Sequence, residues 1–216
     1  MLLPMKSIYL ISGLGADERL FSFLNLPDHT LHFIKWARPV KNESIQEYAK
    51  RLLPQITDEN PILLGVSFGG MLAIEISKLI SVEKVILISS VKNYDEFSPL
   101  IKTAFRFRLH KLLFPIFISI TAPVAYPFFR SPIKSARPLQ WYFFSHPDTK
   151  LIKWAVGAMS KWRSGTVPKN IFHLQGSNDT ILPAKYTSAD IIIEEGTHFM
   201  IVERADQISE IISTHL

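Results

Sequence analysis

The sequence predicts an α/β fold: a mostly parallel, doubly wound sheet of about six strands carrying a helical cap insertion. Three observations lead there. Short runs of β-branched and apolar residues recur along the chain. Amphipathic helical patterns separate them. One interval of nearly eighty residues breaks this rhythm without offering a strand. The strand runs are Ser7–Ile11, Leu31–Lys35, Ile62–Val66, Lys84–Ser89, Asn170–Leu174 and Asp190–Ile193. Val85-Ile86-Leu87-Ile88 is apolar at every position, as a parallel strand buried on both faces requires.

The helices follow in order. Ser44 to Leu53 places Ile45, Tyr48, Ala49 and Leu52 on one stripe, opened by the capping box Ser44-x-x-Glu47. Phe68 to Ile80 carries Met71, Leu72, Ile74 and Leu79, and Asp206 to Thr214 closes the chain with Ile208, Ile211 and Ile212. Between Val91 and Pro168 stand eight of the 14 prolines, three of the four tryptophans and the cluster Trp141-Tyr142-Phe143-Phe144. A structureless loop of that length is uncommon. Residues 91–169 are therefore read as a helical cap over a core of residues 1–90 and 170–216.

Composition narrows the function. A chain of 216 residues fits one domain with an insertion, and its 47% apolar content is too high for a disordered chain. With no cysteine it cannot use disulfides, cysteine-ligated zinc, iron–sulfur clusters or thiol catalysis, and it suits a reducing, cytoplasmic setting. The N-terminus lacks the basic stretch, apolar core and cleavage site of a signal peptide. Leu112 to Phe129 has eighteen residues without a formal charge, close to the length of a membrane span. Pro115, Pro123 and Pro127 interrupt it, so a broken, buried or interfacial helical region is expected instead.

The chemistry centres on Gly65-Val66-Ser67-Phe68-Gly69, a G-x-S-x-G sequence between the third strand and the helix that follows it. A serine on so tight a turn projects its hydroxyl from the sheet edge. Gly65 and Gly69 remove side chains that would collide with the facing backbone. An alcohol needs a base to act as a nucleophile. His198, in the loop after the last strand, is the best-placed histidine, whereas His173 and His32 fall within strands. Asp179, in the loop after the fifth strand, is the preferred acid to orient it, with Asp95 after the fourth strand as the rival. The amides of Phe68 and of Leu14, the latter in Ser12-Gly13-Leu14-Gly15, are the candidate oxyanion donors.

This constellation resembles the α/β-hydrolase superfamily, in the manner of a small serine esterase or thioesterase. The order Ser67, Asp179, His198 is that superfamily's chain order. Two features depart from its pattern: the sheet lacks the first two strands of the full eight, and Ser12 stands where many members place histidine. The resemblance implies acyl transfer from an ester or thioester to water through an acyl-enzyme, with no metal or organic cofactor. A cofactor-free lyase and a receptor-like binder are the alternatives on the same fold.

The cap is also where the charge lies. Residues 91–170 hold thirteen Lys/Arg against three acids, +10, while the remainder of the chain is −5. Trp141, Phe144, Arg106 and Arg108 are the candidate substrate contacts. A small-molecule acyl ester or thioester is the expected partner. An anionic substrate, an acyl-carrier protein or a membrane surface could meet the basic cap. Nucleic acid is not expected, because no reader motif is present and the basic residues are interleaved with apolar ones.

Overall fold

Strands that are apolar at every position need two dry faces, and the chain supplies both. The structure is a computed structural model that describes residues 5–112, 121, 124–127 and 129–216. Most of the proline-interrupted 112–129 segment therefore lies outside the described residues. Six parallel strands form one sheet: β1 (Lys6–Ile11), β2 (His29–Phe33), β3 (Ile62–Val66), β4 (Lys84–Ile88), β5 (Ile171–Gly176) and β6 (Ile191–Ile193). Their order is β2-β1-β3-β4-β5-β6.

Side chains alternate between the faces with period two. Tyr9, Ile11, Leu63, Val85 and Leu87 pack on one side, and Ile8, Leu10, Ile62, Leu64, Ile86 and Ile88 on the other. The first face is covered by α1 (Ile45–Leu52) and α2 (Phe68–Ser77). The capping box of α1 forms as the sequence predicts: Glu47 N–H donates to Ser44 Oγ at 3.2 Å, and Ser44 N–H donates to Glu47 Oε2 at 2.7 Å.

The inserted region contributes α3 (Pro99–Arg106), α4 (Arg137–Ser145) and α5 (Thr149–Met159). It leaves the sheet after β4 and returns at the neighbouring β5. Helix α5 is also part of the first face: Leu151, Ala155 and Ala158 are buried there, and the Trp154 ring lies 4.4 Å from that of Tyr48. Trp162, 2% exposed, donates its indole N–H to Glu75 Oε1 of α2 at 2.8 Å. The second face is covered by α6 (Met200–Glu203) and α7 (Ala205–His215) through Met200, Ile201, Ile208 and Ile212. Among the described residues, no helix is long and apolar enough to cross a membrane.

Element ends differ from the sequence reading by a few residues. The second strand begins at His29 rather than Leu31. It pairs Lys6 with His29 through to Leu10 with Phe33, after which the backbone of Lys35 bonds the side chain of Gln55 instead of a strand. The fourth ends at Ile88 because Ser89 takes a φ of +49°. The order of the strands matters most for function. The chain moves one way from β1 to β2 and the other way to β3, which opens a crevice at the carboxyl ends of β1 and β3.

Candidate active site

Ser67 occupies that crevice. It sits between β3 and α2 with φ +54° and ψ −120°, a region costly for any residue with a side chain. Its amide donates to Ile88 O at 3.0 Å, and its carbonyl accepts from Ser90 Oγ at 2.6 Å and Gly70 N at 3.0 Å. The backbone packing explains the flanking glycines. A Cβ on Gly65 would lie 2.4 Å from Gly69 O, and one on Gly69 only 2.2 Å from Ile11 O. These neighbours are backbone atoms, which cannot swing aside.

Two further loops bring the partners. His198 Nε2 lies 3.0 Å from Ser67 Oγ, and His198 Nδ1 lies 2.8 Å from Asp179 Oδ2. The Asp179 carboxylate is wholly buried. Its Oδ1 accepts the amides of Ile181 at 2.9 Å and Leu182 at 2.8 Å. Its Oδ2 also accepts Gln175 Nε2 at 2.8 Å. The aspartate and histidine loops are tied together directly, since Asn178 N donates to Gly196 O and Ser177 N to Ile193 O. Gly176 permits this approach: a Cβ there would lie 2.2 Å from Gly196 O. Asp95, the rival acid, is exposed in a 3-10 turn, and His198 Nδ1 bonds Asp179 instead.

Leu14 and Phe68 both line the cavity that Ser67 lines, and their amides make no hydrogen bond among the described residues. Phe68 is the first residue of α2, and an N–H at that position has no intrahelical acceptor. The Leu14 loop is braced by Ser12. The Ser12 hydroxyl donates to Ala16 O at 2.9 Å and accepts the Trp36 indole N–H at 2.9 Å. The residue that departs from the superfamily pattern thus fixes the shape of this loop.

Over the serine lies a largely apolar cavity of about 530 Å³, walled by Leu14, Phe97, Phe105, Phe143, Phe144 and Phe199 among others. The substrate contacts expected from sequence divide here. Phe144 lines the cavity, but Trp141, Arg106 and Arg108 do not. Helix phase is the reason. Gln140, Phe143 and Phe144 share one side of α4, as i, i+3 and i+4 neighbours must. Trp141 falls off that side, 44% exposed, against the edge of Tyr126. On α3, Ile101, Ala104 and Phe105 face the cavity while Arg106 lines a shallow depression beside Tyr94 and Arg163. Arg108 follows the helix on an exposed backbone turned to φ +56°.

The basic charge is placed just as selectively. Of the thirteen Lys/Arg in the insertion, only Arg130 lines the cavity. Lys111, Lys150, Lys153 and Lys161 instead join Arg38 and Lys41 around a second groove of about 600 Å³. Helix α5 divides the two: Val156 and Met159 face the cavity, and Trp154, Gly157 and Ala158 the groove.

Several residues of the site escape sequence reasoning. Trp36 and Gln175 carry no motif, and Ser12 shows in the sequence only as a departure within its loop. The one available signal for Gln175 is a polar side chain two residues after His173 in an otherwise apolar strand, which puts both on the same face.

Solved structures similar to the chain include three enzymes of low sequence identity. A thermophilic esterase from Thermogutta terrifontis has a TM-score of 0.71 at 16% identity, covering 97% of this chain and 89% of that one. A putative non-heme bromoperoxidase from Mycobacterium tuberculosis H37Rv has a TM-score of 0.70 at 12% identity, covering 97% and 91%. A bromoperoxidase from Bacillus anthracis has a TM-score of 0.66 at 18% identity, covering 96% and 90%. A search of curated protein sequences finds no match. The family model described as "Alpha/beta hydrolase family" matches residues 10–211, nearly the whole chain, and the protein belongs to that family.

Proposed function

We propose that the protein is a serine hydrolase that cleaves a carboxylic ester or thioester through an acyl-enzyme intermediate. The observation that carries this reading is the unbroken line Ser67 Oγ, His198 Nε2, His198 Nδ1, Asp179 Oδ2, with successive contacts of 3.0 and 2.8 Å at the floor of an apolar cavity.

The steps follow from these atoms. His198 Nε2 takes the Ser67 proton as Oγ attacks the acyl carbonyl. Asp179 keeps Nδ1 protonated and stabilises the imidazolium without itself taking the proton. The developing oxyanion is held by the amides of Leu14 and Phe68, each such donor being worth about 10²–10³ in rate. His198 then returns the proton to the leaving oxygen or sulfur. A water activated by the same imidazole releases the acid and restores Ser67. Residues 91–169 serve as a cap whose apolar underside, Phe143 and Phe144 included, receives an uncharged acyl group of moderate size.

With one cation at the cavity, an anionic acyl-carrier protein or membrane surface would be met by the basic groove behind α5 rather than by the cavity mouth. The cysteine-free chain is read as a cytoplasmic enzyme. The test is a panel of esters and thioesters graded by acyl length and charge, assayed with wild type and Ser67→Ala. Hydrolysis of neutral, medium-length esters that disappears in Ser67→Ala is expected. Turnover that survives in Ser67→Ala would sink the reading.

A further inference from the structure

We propose that Gln175 is a positioning residue for the acid–base pair, held in turn by His173, so that a buried chain of side chains runs His173–Gln175–Asp179–His198–Ser67. This rests on the serine-hydrolase reading above.

Each link is fixed by a hydrogen-bonding requirement. Gln175 is fully buried. Its Nε2 has two acceptors, Asp179 Oδ2 at 2.8 Å and Leu182 O at 2.6 Å. A flipped amide would turn its carbonyl oxygen against both, so the NH₂ group must face Asp179. That leaves Gln175 Oε1 needing a donor, and His173 Nε2 lies 3.2 Å away. His173 is therefore the Nε2–H tautomer, and its Nδ1, which has no hydrogen-bond partner among the described residues, is an unprotonated acceptor. Burial pushes the His173 imidazole down to about 4, which keeps it neutral and the tautomer single at ordinary pH. The charged groups around it are Glu96, Lys92 and Asp190. Glu96 accepts the amides of Lys92 and Ser188, and Asp190 accepts the His173 amide and lies 3.7 Å from Lys92 Nζ.

The consequence falls on Asp179 Oδ2, the oxygen that accepts His198 Nδ1–H. Gln175 is a second donor to that same oxygen. It restrains the carboxylate rotamer and disperses its charge, which limits how strongly Asp179 favours the imidazolium. Among the described residues, the acids nearest in sequence to His198 are engaged elsewhere. Glu194 accepts the Ser177 hydroxyl, Glu195 pairs with Arg204 at 2.9 Å, and Glu203 accepts the Thr197 hydroxyl. Removing the Gln175 donor should leave the Oδ2 charge to act wholly on His198 Nδ1–H and move the acid limb of the pH–rate profile upward.

The test is Gln175→Met, close in shape but without the donor, assayed on a neutral ester across pH. We expect kcat to fall about tenfold, KM to stay within about twofold, and the acid limb of kcat/KM to move up by about one pH unit. The far-downfield proton resonance of His198 Nδ1–H should shift as well. His173→Phe should change the limb and the resonance in the same direction by less, and His173→Gln, which restores a donor, should recover them. It also serves if Gln175→Met does not fold. A folded Gln175→Met with the wild-type limb and resonance overturns the proposal, as does a variant that only lowers the melting temperature. Failure of the hydrolase reading is distinct: wild type would then cleave no ester, while the resonance would still report whether Gln175 positions the pair.

Discussion

The carboxyl edge of the sheet and the inserted helices place their side chains by different means. At the sheet edge, backbone packs on backbone. Gly69 leaves 2.2 Å between a hypothetical Cβ and Ile11 O, and Gly176 leaves the same distance to Gly196 O. The positions of Ser67, Asp179 and His198 then follow from the strand ends and a few loop hydrogen bonds. In the insertion, helix phase decides. Trp141 and Phe144, three residues apart on α4, both pack against Tyr126, yet only Phe144 also reaches the cavity alongside Gln140 and Phe143. The geometry of Ser67, His198 and Asp179 is set where neighbours leave no freedom, and the cavity wall where one substitution re-aims only one side chain.

Four predictions can break or sharpen this contrast. The largest effect belongs to the sheet edge: Asp179→Asn should lower kcat by about 10⁴-fold in a folded protein, because the imidazole loses its oriented tautomer. Circular dichroism alongside steady-state kinetics checks both halves. Next, Gly69→Ala should cost more than the roughly 1–3 kcal/mol of ordinary core overpacking, since the obstructing atoms are main chain. A melting temperature close to wild type would show that the elbow has slack.

The third prediction concerns pH. His173 has its folded value lowered to about 4 from an ordinary 6.5, so between those values the unfolded chain binds the proton and the folded one does not. Stability should therefore be full above about pH 6.5 and decline by about 3 kcal/mol as pH falls towards 4. Denaturant titrations of wild type and His173→Leu read this out, and the variant should show a flatter acid arm. The smallest effects belong to the insertion. Phe144→Ala should raise KM for medium-length neutral esters several-fold. Trp141→Ala, Arg106→Gln and Arg108→Gln should each leave it within about twofold. A large KM change in any of these three would return them to the substrate site.

How much of this was legible in the sequence follows the same division. The six strands could be read because a sheet buried on both faces demands apolar residues at every position, as in Val85 to Ile88. Ser67, Asp179 and His198 could be singled out because each follows a strand, and the strand order brings those loops to one edge. Strand ends shifted where a local bond intervened, as at Lys35 and Gln55. The substrate wall was only half legible, because an aromatic cluster does not announce which residue of a helix turns inward. The charge of the insertion was legible, but its placement was not. Counting charge by segment could not foresee that Arg38 and Lys41, from outside the insertion, would complete a groove behind α5. Gln175 was silent, and Ser12 was visible only as a departure from the superfamily pattern, because their roles lie in hydrogen bonds to groups brought near only by folding.

The most direct test of the central claim is intact-mass analysis of the folded protein after reaction with a fluorophosphonate, followed by peptide mapping. The account predicts one adduct per chain, on Ser67, with labelling lost in Ser67→Ala and strongly slowed in Asp179→Asn. An unlabelled wild type, or an adduct that persists in Ser67→Ala, would contradict it.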